Sequence, residues 1–220
     1  MIPAYLSQLL VDTPEANTEL GPGRLECRII GELKLPSGRI VACDPVVEPD
    51  LPAFARAVPP GAWPVGVTIA RLLDDERIAA AWIRISDDAP IRWEPAQLAG
   101  RPHRESPAYG VDSGTGGFVS AEGAAPLAAQ LGDDSIEEFQ ARMEAEYVPT
   151  REWAVVPIPG TDGLNVAAFS SGLGDGAYVS YWGYDAGGEI TCLLTDFRLM
   201  GRPERGERPA GTVRPWWRFW

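Results

Sequence analysis

The sequence predicts a mainly β, α+β fold. It should be an antiparallel β-sandwich or a strongly bent sheet, with a helical insertion near 124–147 and a short N-terminal helix. Three observations carry this reading. The chain holds 24 glycines and 21 prolines with no collagen-like period, an excess that calls for many turns. Its apolar residues fall in short runs of strand length bounded by Gly, Pro, Asn and Asp. The clearest helical stretch follows Ser135, where a capping signal and helical spacing coincide.

At 220 residues the chain can bury about 70% of the surface its unfolded form exposes. Residues 1–200 read as one β-rich domain and 201–220 as an Arg-, Pro- and Trp-rich tail. Trp216, Trp217, Phe219 and Trp220 are costly to leave in water, so the tail should fold back on the domain or meet a partner.

Along the chain, Pro3–Leu10 can form one or two helical turns. Leu25–Leu35 reads as a strand, Pro36-Ser37-Gly38 as a turn and Arg39–Cys43 as a returning strand, so the segment is expected to be a hairpin. Asp50 can cap a short helix over Leu51–Ala57, with Pro52 in its first turn. Two strands then flank the acidic turn Asp74-Asp75-Glu76. In the second, Ala79, Ala81 and Ile83 share one face while Ile78, Ala80 and Trp82 share the other, the pattern of a strand covered on both sides. After a short extended run at 91–95 and a loop around His103, residues 108–120 read as a tight hairpin with its tip at Gly114–Gly117. A helix over Ala125–Leu131 is stopped by Gly132. The next opens on the Ser135/Glu138 capping box and carries Ile136, Phe139, Met143 and Tyr147 on one face. The chain returns to strand at 152–158 and again at 165–197.

Composition narrows the chemistry. A net charge of −12 and a sequence pI near 4.5 argue against nucleic acid and anionic membranes, and suit a basic protein partner. With one histidine, His103, a Ser-His-Asp site would have to be built on that residue, and a histidine-built zinc site is improbable. Cys27, Cys43 and Cys192 lie far apart in apolar contexts and read as small core residues. The N-terminal run lacks the basic flank and length of a secretory signal, and no stretch nears the ~20 apolar residues needed to span a bilayer, so a cytoplasmic protein is expected.

Three groups of residues could carry a function. In the first, a two-residue turn at Ala186-Gly187 pairs Asp185 with Gly188 and sets Ala177 opposite Asp196. Asp175 is then a diagonal neighbour of Asp196, about 7–8 Å away on one face. Such a pair suits acid–base work or a bound cation, with Ca or Mg the candidates and no other cofactor expected. Alternatively Asp196 accepts amides of the Gly172–Gly176 loop and holds it shut. A three-residue turn would move Asp196 to the other face.

The second group is Asp112-Ser113-Gly114-Thr115, which resembles the Asp-Ser-Gly-Thr tetrad of aspartic proteases. One copy would need a partner copy, and a glycine-rich turn accounts for the same residues. The third is the aromatic face of Tyr178, Ser180, Trp182 and Tyr184, with Thr191, Thr195 and Phe197 across from it. It reads either as a binding platform or as a core face covered by the helix at 135–147. The residues to watch for binding are thus Ser113, Thr115, Tyr178, Trp182, Tyr184 and Asp185.

Six motifs occur in order: LPSGRIVACDP (35–45), PPGAWPV (59–65), RIAAAWIRI (77–85), GVDSGTGGF (110–118), FSSGLGDGAYVSYWGYD (169–185) and TDF (195–197). In this the chain resembles the bacterial domain-of-unknown-function family numbered 4241. The resemblance implies no established activity. It singles out Asp112, Asp175, Asp185 and Asp196 for either a functional or a folding role. Two functions follow as expectations: a non-enzymatic binding protein that neutralises a basic protein partner, and a carboxylate-based, metal-assisted hydrolase using Asp112, Asp175 and Asp196.

Overall fold

The computed structural model describes residues 2–100, 107–130, 135–145 and 147–200, and within 135–145 the side chains of 139 and 141–145. His103, Leu131 and Gly132, the Ser135/Glu138 capping side chains and the 201–220 tail lie outside the described residues.

Two antiparallel sheets hold the chain. The larger, curled one follows the order β1 (Thr13–Thr18), β2 (Gly21–Leu35), β4 (Gly61–Arg71), β5 (Glu76–Arg84), β12 (Ile190–Asp196), β11 (Gly176–Tyr184) and β6 (Arg92–Pro95). β7 (Ala108–Val111) also pairs with β11, beyond the end of β6. The smaller sheet runs β3 (Ile40–Cys43), β8 (Thr115–Ser120), β10 (Asn165–Ser170) and β9 (Trp153–Pro157). The expected mainly β fold with a bent sheet is what forms. A 3₁₀ turn at Leu6–Leu10 supplies the short N-terminal helix, and α1 (Ala121–Ala128) and α2 (Ser135–Ala145) supply the helical insertion. No described helix is long and apolar enough to cross a membrane.

Side-chain alternation on these strands builds three apolar layers. The inner faces of the two sheets meet over Leu33, Val67, Ile83, Phe118, Phe169, Trp182 and Phe197. The outer face of the large sheet, with Ala80, Trp82 and Leu194, is covered by Leu6, Leu9 and Leu10 of the N-terminal turn. The outer face of the small sheet, with Val41, Val119 and Val166, is covered by Ala124 and Leu127 of α1 and Met143 of α2. Ser120 caps α1, its hydroxyl accepting from Gly123 N at 3.0 Å.

The hairpins expected at Pro36-Ser37-Gly38 and at Gly114–Gly117 are corners instead. β2 and β3 do not pair with each other: β2 pairs with β1 and β4, and β3 with β8 in the other sheet. The turn itself forms, with Gly38 N bonded to Leu35 O and Gly38 at φ +73. A side chain there would run into the carbonyl of Val58. Likewise β7 joins β11 while β8 joins β3 and β10, so residues 111–115 carry the chain from one sheet to the other.

The expected helix over Leu51–Ala57 is absent as well. Phe54 N bonds Ile40 O and Ala55 N bonds Gln97 O, which holds this segment extended against two neighbours. In β5 a bulge between the pairs Thr68↔Ala80 and Ile69↔Ile78 leaves Ala79 over, so Ile78 joins Ala81 and Ile83 in the inter-sheet core. The aromatic face of β11 is covered by the small sheet, not by α2.

Candidate functional site

The two corners meet at one carboxylate. Asp44 follows β3 directly, is 1% exposed, and accepts five hydrogen bonds. Its Oδ1 takes Val46 N (2.9 Å), Val47 N (3.1 Å) and Ser113 Oγ (2.8 Å). Its Oδ2 takes Asp112 N (2.9 Å) and Ser113 N (2.8 Å). A carboxylate so saturated offsets the cost of its burial and locks two loops together. Sequence reasoning passed over this residue. The available signal was an Asp between a strand and Pro45, which starts an Asx turn; partners 68 and 69 positions later were not readable.

A third turn leans on the same junction. Ser171 N bonds Gly114 O at 3.0 Å, tying the Ser171–Asp175 loop to the 112–114 turn. Within that loop Gly174 N bonds Ser171 O (3.0 Å), Ser171 Oγ donates to Gly174 O (2.9 Å), and the Tyr178 hydroxyl donates to Gly174 O (2.7 Å) and Ser171 O (3.0 Å). Gly172 sits at φ +63 with its α-carbon against Phe197, where a side chain would meet Phe197 Cβ at 2.9 Å.

Asp112 and Asp175 both border this scaffold. The β7–β11 ladder ends at Gly176↔Val111, and the two aspartates occupy the next position out on either strand. Both are exposed, as are Glu48 and Asp50 on the neighbouring Asp44 loop. Two apolar side chains on these loops are exposed as well: Leu173, 57% exposed, on the pinned 171–175 loop, and Val47, 52% exposed, on the Asp44 turn.

Asp196 lies elsewhere. The β11–β12 turn holds three residues, Ala186–Gly188, between Asp185 and Glu189, with Gly188 at φ +85 and Asp185 Oδ1 accepting Glu189 N at 2.9 Å. A bulge between Gly183↔Cys192 and Tyr184↔Ile190 then leaves Thr191 over. Each irregularity shifts the ladder by one residue, and together they restore the face but not the partner. Asp196 therefore faces Val179, not Ala177, and sits about 13 Å along β11 from Asp175. The diagonal Asp175–Asp196 pair expected from a two-residue turn does not form. β12 and β7 flank β11 on opposite sides, so Asp112, Asp175 and Asp196 do not converge.

The Asp196 carboxylate, 3% exposed, accepts the Tyr5 hydroxyl at 2.7 Å and Arg198 N at 2.8 Å. Burial pushes its pKa up, against the lowering effect of those two donors, and pushes the Tyr5 phenol up as well. It thus anchors the N-terminal turn to the end of β12, and the expected amides of the Gly172–Gly176 loop are not its partners.

Of the other residues marked for binding, Thr115, Tyr178, Trp182 and Tyr184 are buried, Ser113 is exposed but spends its hydroxyl on Asp44, and Asp185 braces the hairpin turn. The three cysteines are unpaired, and burial lifts the Cys27 and Cys192 thiols to about 12. Among the described residues no three His, Cys, Asp or Glu side chains are grouped to hold a metal ion.

Comparison with known proteins gives one result. No curated protein and no solved structure matches the chain. A family model described as protein of unknown function (DUF4241) matches residues 33–195. That span begins inside β2 and ends on β12, so it takes in Asp44, Asp112, Ser113 and Asp175, while Tyr5 and Asp196 fall outside it. Matched over most of its length, from one sheet corner through to the last strand, the chain belongs to the DUF4241 family of proteins of unknown function.

Proposed function

We propose that this is a non-enzymatic binding protein that engages a basic protein partner through the corner formed by the 44–48, 112–114 and 171–175 loops. One observation carries the reading: Asp112 and Asp175 are exposed beside the last pair of the β7–β11 ladder, on turns held by Asp44 and Tyr178. Rigid turns lose little freedom on association, and an exposed leucine on loops that also carry exposed carboxylates suits a partner that brings both cations and an apolar pocket. The net charge of −12 adds long-range attraction for such a partner. Three unpaired thiols are in keeping with a reducing, cytoplasmic setting.

A photo-crosslinking residue at position 173 tests this directly. In cells it should capture a basic protein, whereas the same residue at position 73, on the β4–β5 turn where Leu73 is 94% exposed, should not. Equal capture from both positions, or capture of acidic proteins from position 173, would remove the support for this reading.

A further inference from the structure

The described chain ends beside the acidic corner. Leu199 is buried, and a Cβ added at Gly172 would lie 3.3 Å from its Cδ1, so its side chain packs against the 171–175 loop. The backbone is fixed at the same point, with Glu19 N bonded to Leu199 O at 2.8 Å and Met200 bridged to Thr18. Residues 201–220 therefore begin next to the loop that carries Leu173 and Asp175.

Their composition is the complement of what the corner exposes. The segment holds five Arg against two Glu, on a chain whose net charge is −12, and residues 214–220 set Arg214 and Arg218 among three Trp and one Phe. The corner exposes the carboxylates of Asp112, Asp175 and Glu48 and the apolar side chains of Leu173 and Val47. Arg and Trp are the side chains that most often anchor an interface. Extended, residues 201–213 can span about 40 Å, ample to return 214–220 to a loop adjoining Leu199.

We propose that residues 201–220 are an internal occupant of this corner, which a basic protein partner has to displace. The proposal rests on the reading of the corner as an acidic docking surface and adds the regulation of that surface. Tethering makes the contact intramolecular, at an effective concentration of roughly 1 mM for a short linker. An intrinsic Kd of about 0.1 mM then keeps the corner about nine-tenths occupied and weakens a competing partner about tenfold.

The test places the photo-crosslinking residue at position 173 of the purified full-length protein and maps its products by mass spectrometry. Links to peptides within 201–220 are expected in monomeric protein, with a yield independent of protein concentration and falling as salt is added. The same residue at position 73 should give none. Arg214→Glu/Arg218→Glu should cut the yield about tenfold at an unchanged melting temperature, and adding Asp112→Lys/Asp175→Lys should restore part of it. In cells the Arg214→Glu/Arg218→Glu variant should capture several-fold more of the basic partner from position 173 than the wild type does. No link to 201–220 in the monomer, links only between two chains, or a tail variant that links like the wild type would each overturn the proposal; the middle result would assign the corner to a second copy. Capture of a basic protein in cells without a tail link in the pure protein would sink this inference alone. A tail link with no partner captured even by the tail variant would instead remove the proposed function.

Discussion

Ser113 gives Asp44 two hydrogen bonds, from its amide and from its hydroxyl, each 2.8 Å long, across 69 positions of sequence. With the amides of Val46, Val47 and Asp112 they leave a buried carboxylate fully engaged at the point where both sheet corners meet. Asp44→Asn would keep one acceptor oxygen but turn an amide donor toward backbone N–H groups. A loss of about 2–3 kcal/mol in urea unfolding is expected. The exposed Asp112→Asn should stay within about 0.5 kcal/mol of the wild type. Equal effects of the two changes would contradict the assignment of Asp44 as the residue that fixes the corner.

The Tyr5–Asp196 bond carries a pH signature. Asp196 has its folded pKa raised above the value of about 3.9 expected for an unfolded chain. Between those two values the folded state holds more protons, so this group's contribution is fully present below the unfolded pKa and is lost as pH rises through the folded one. Relative to Asp196→Asn, the wild type should therefore lose stability as pH is raised from about 4. Using the variant as reference removes Glu26 and Asp75, whose depressed pKa values act in the opposite sense. Tyr5→Phe deletes a donor that lowers the Asp196 pKa. It should cost about 1.5–3 kcal/mol at neutral pH and carry the decline to higher pH. Chemical denaturation at a series of pH values checks both.

Gly66 faces Trp82 across β4 and β5, and an added Cβ would lie 2.2 Å from two atoms of the indole ring. The ring cannot swing aside without breaking its Nε1 bond to Thr68 Oγ1 at 3.1 Å, and Thr68 is itself bonded to Leu9 O. Gly66→Ala should cost about 3 kcal/mol, seen as a lower denaturant midpoint with unchanged slope. Adding Trp82→Phe should recover part of that loss by vacating the ring space.

Much of this fold is legible in the sequence because alternation and turn chemistry are local. β4 and β5 around Asp74-Asp75-Glu76, the β11–β12 hairpin and α2 sit where the pattern puts them, while α1, expected over Ala125–Leu131, starts four residues earlier at Ala121, behind the Ser120 cap. What is not local is missed. Pro36-Ser37-Gly38 and Asp112-Ser113-Gly114 look like hairpin tips, and a turn that feeds a second sheet needs the same φ > 0 glycine as one that folds a strand back on itself. The bulges at Ala79 and Thr191 each move a strand by one residue, with no glycine or proline at either bulged position and only Gly183, across from the second, to hint at it. The aspartates of the candidate site were visible as residue types beside glycine turns. Their partners, Asp44 for Ser113 and Tyr5 for Asp196, come from 69 and 191 positions away and depend on the assembled sheets.

In the proposed function Asp44 builds the corner, while Asp112 and Asp175 would present it to a basic protein. The most direct measurement is affinity of the captured partner for the Asp112→Lys/Asp175→Lys double variant, taken alongside that variant's melting temperature. The account predicts a melting temperature close to the wild-type value and a loss of affinity of about a hundredfold or more, steepest at low salt. Unchanged affinity in a folded double variant would contradict it.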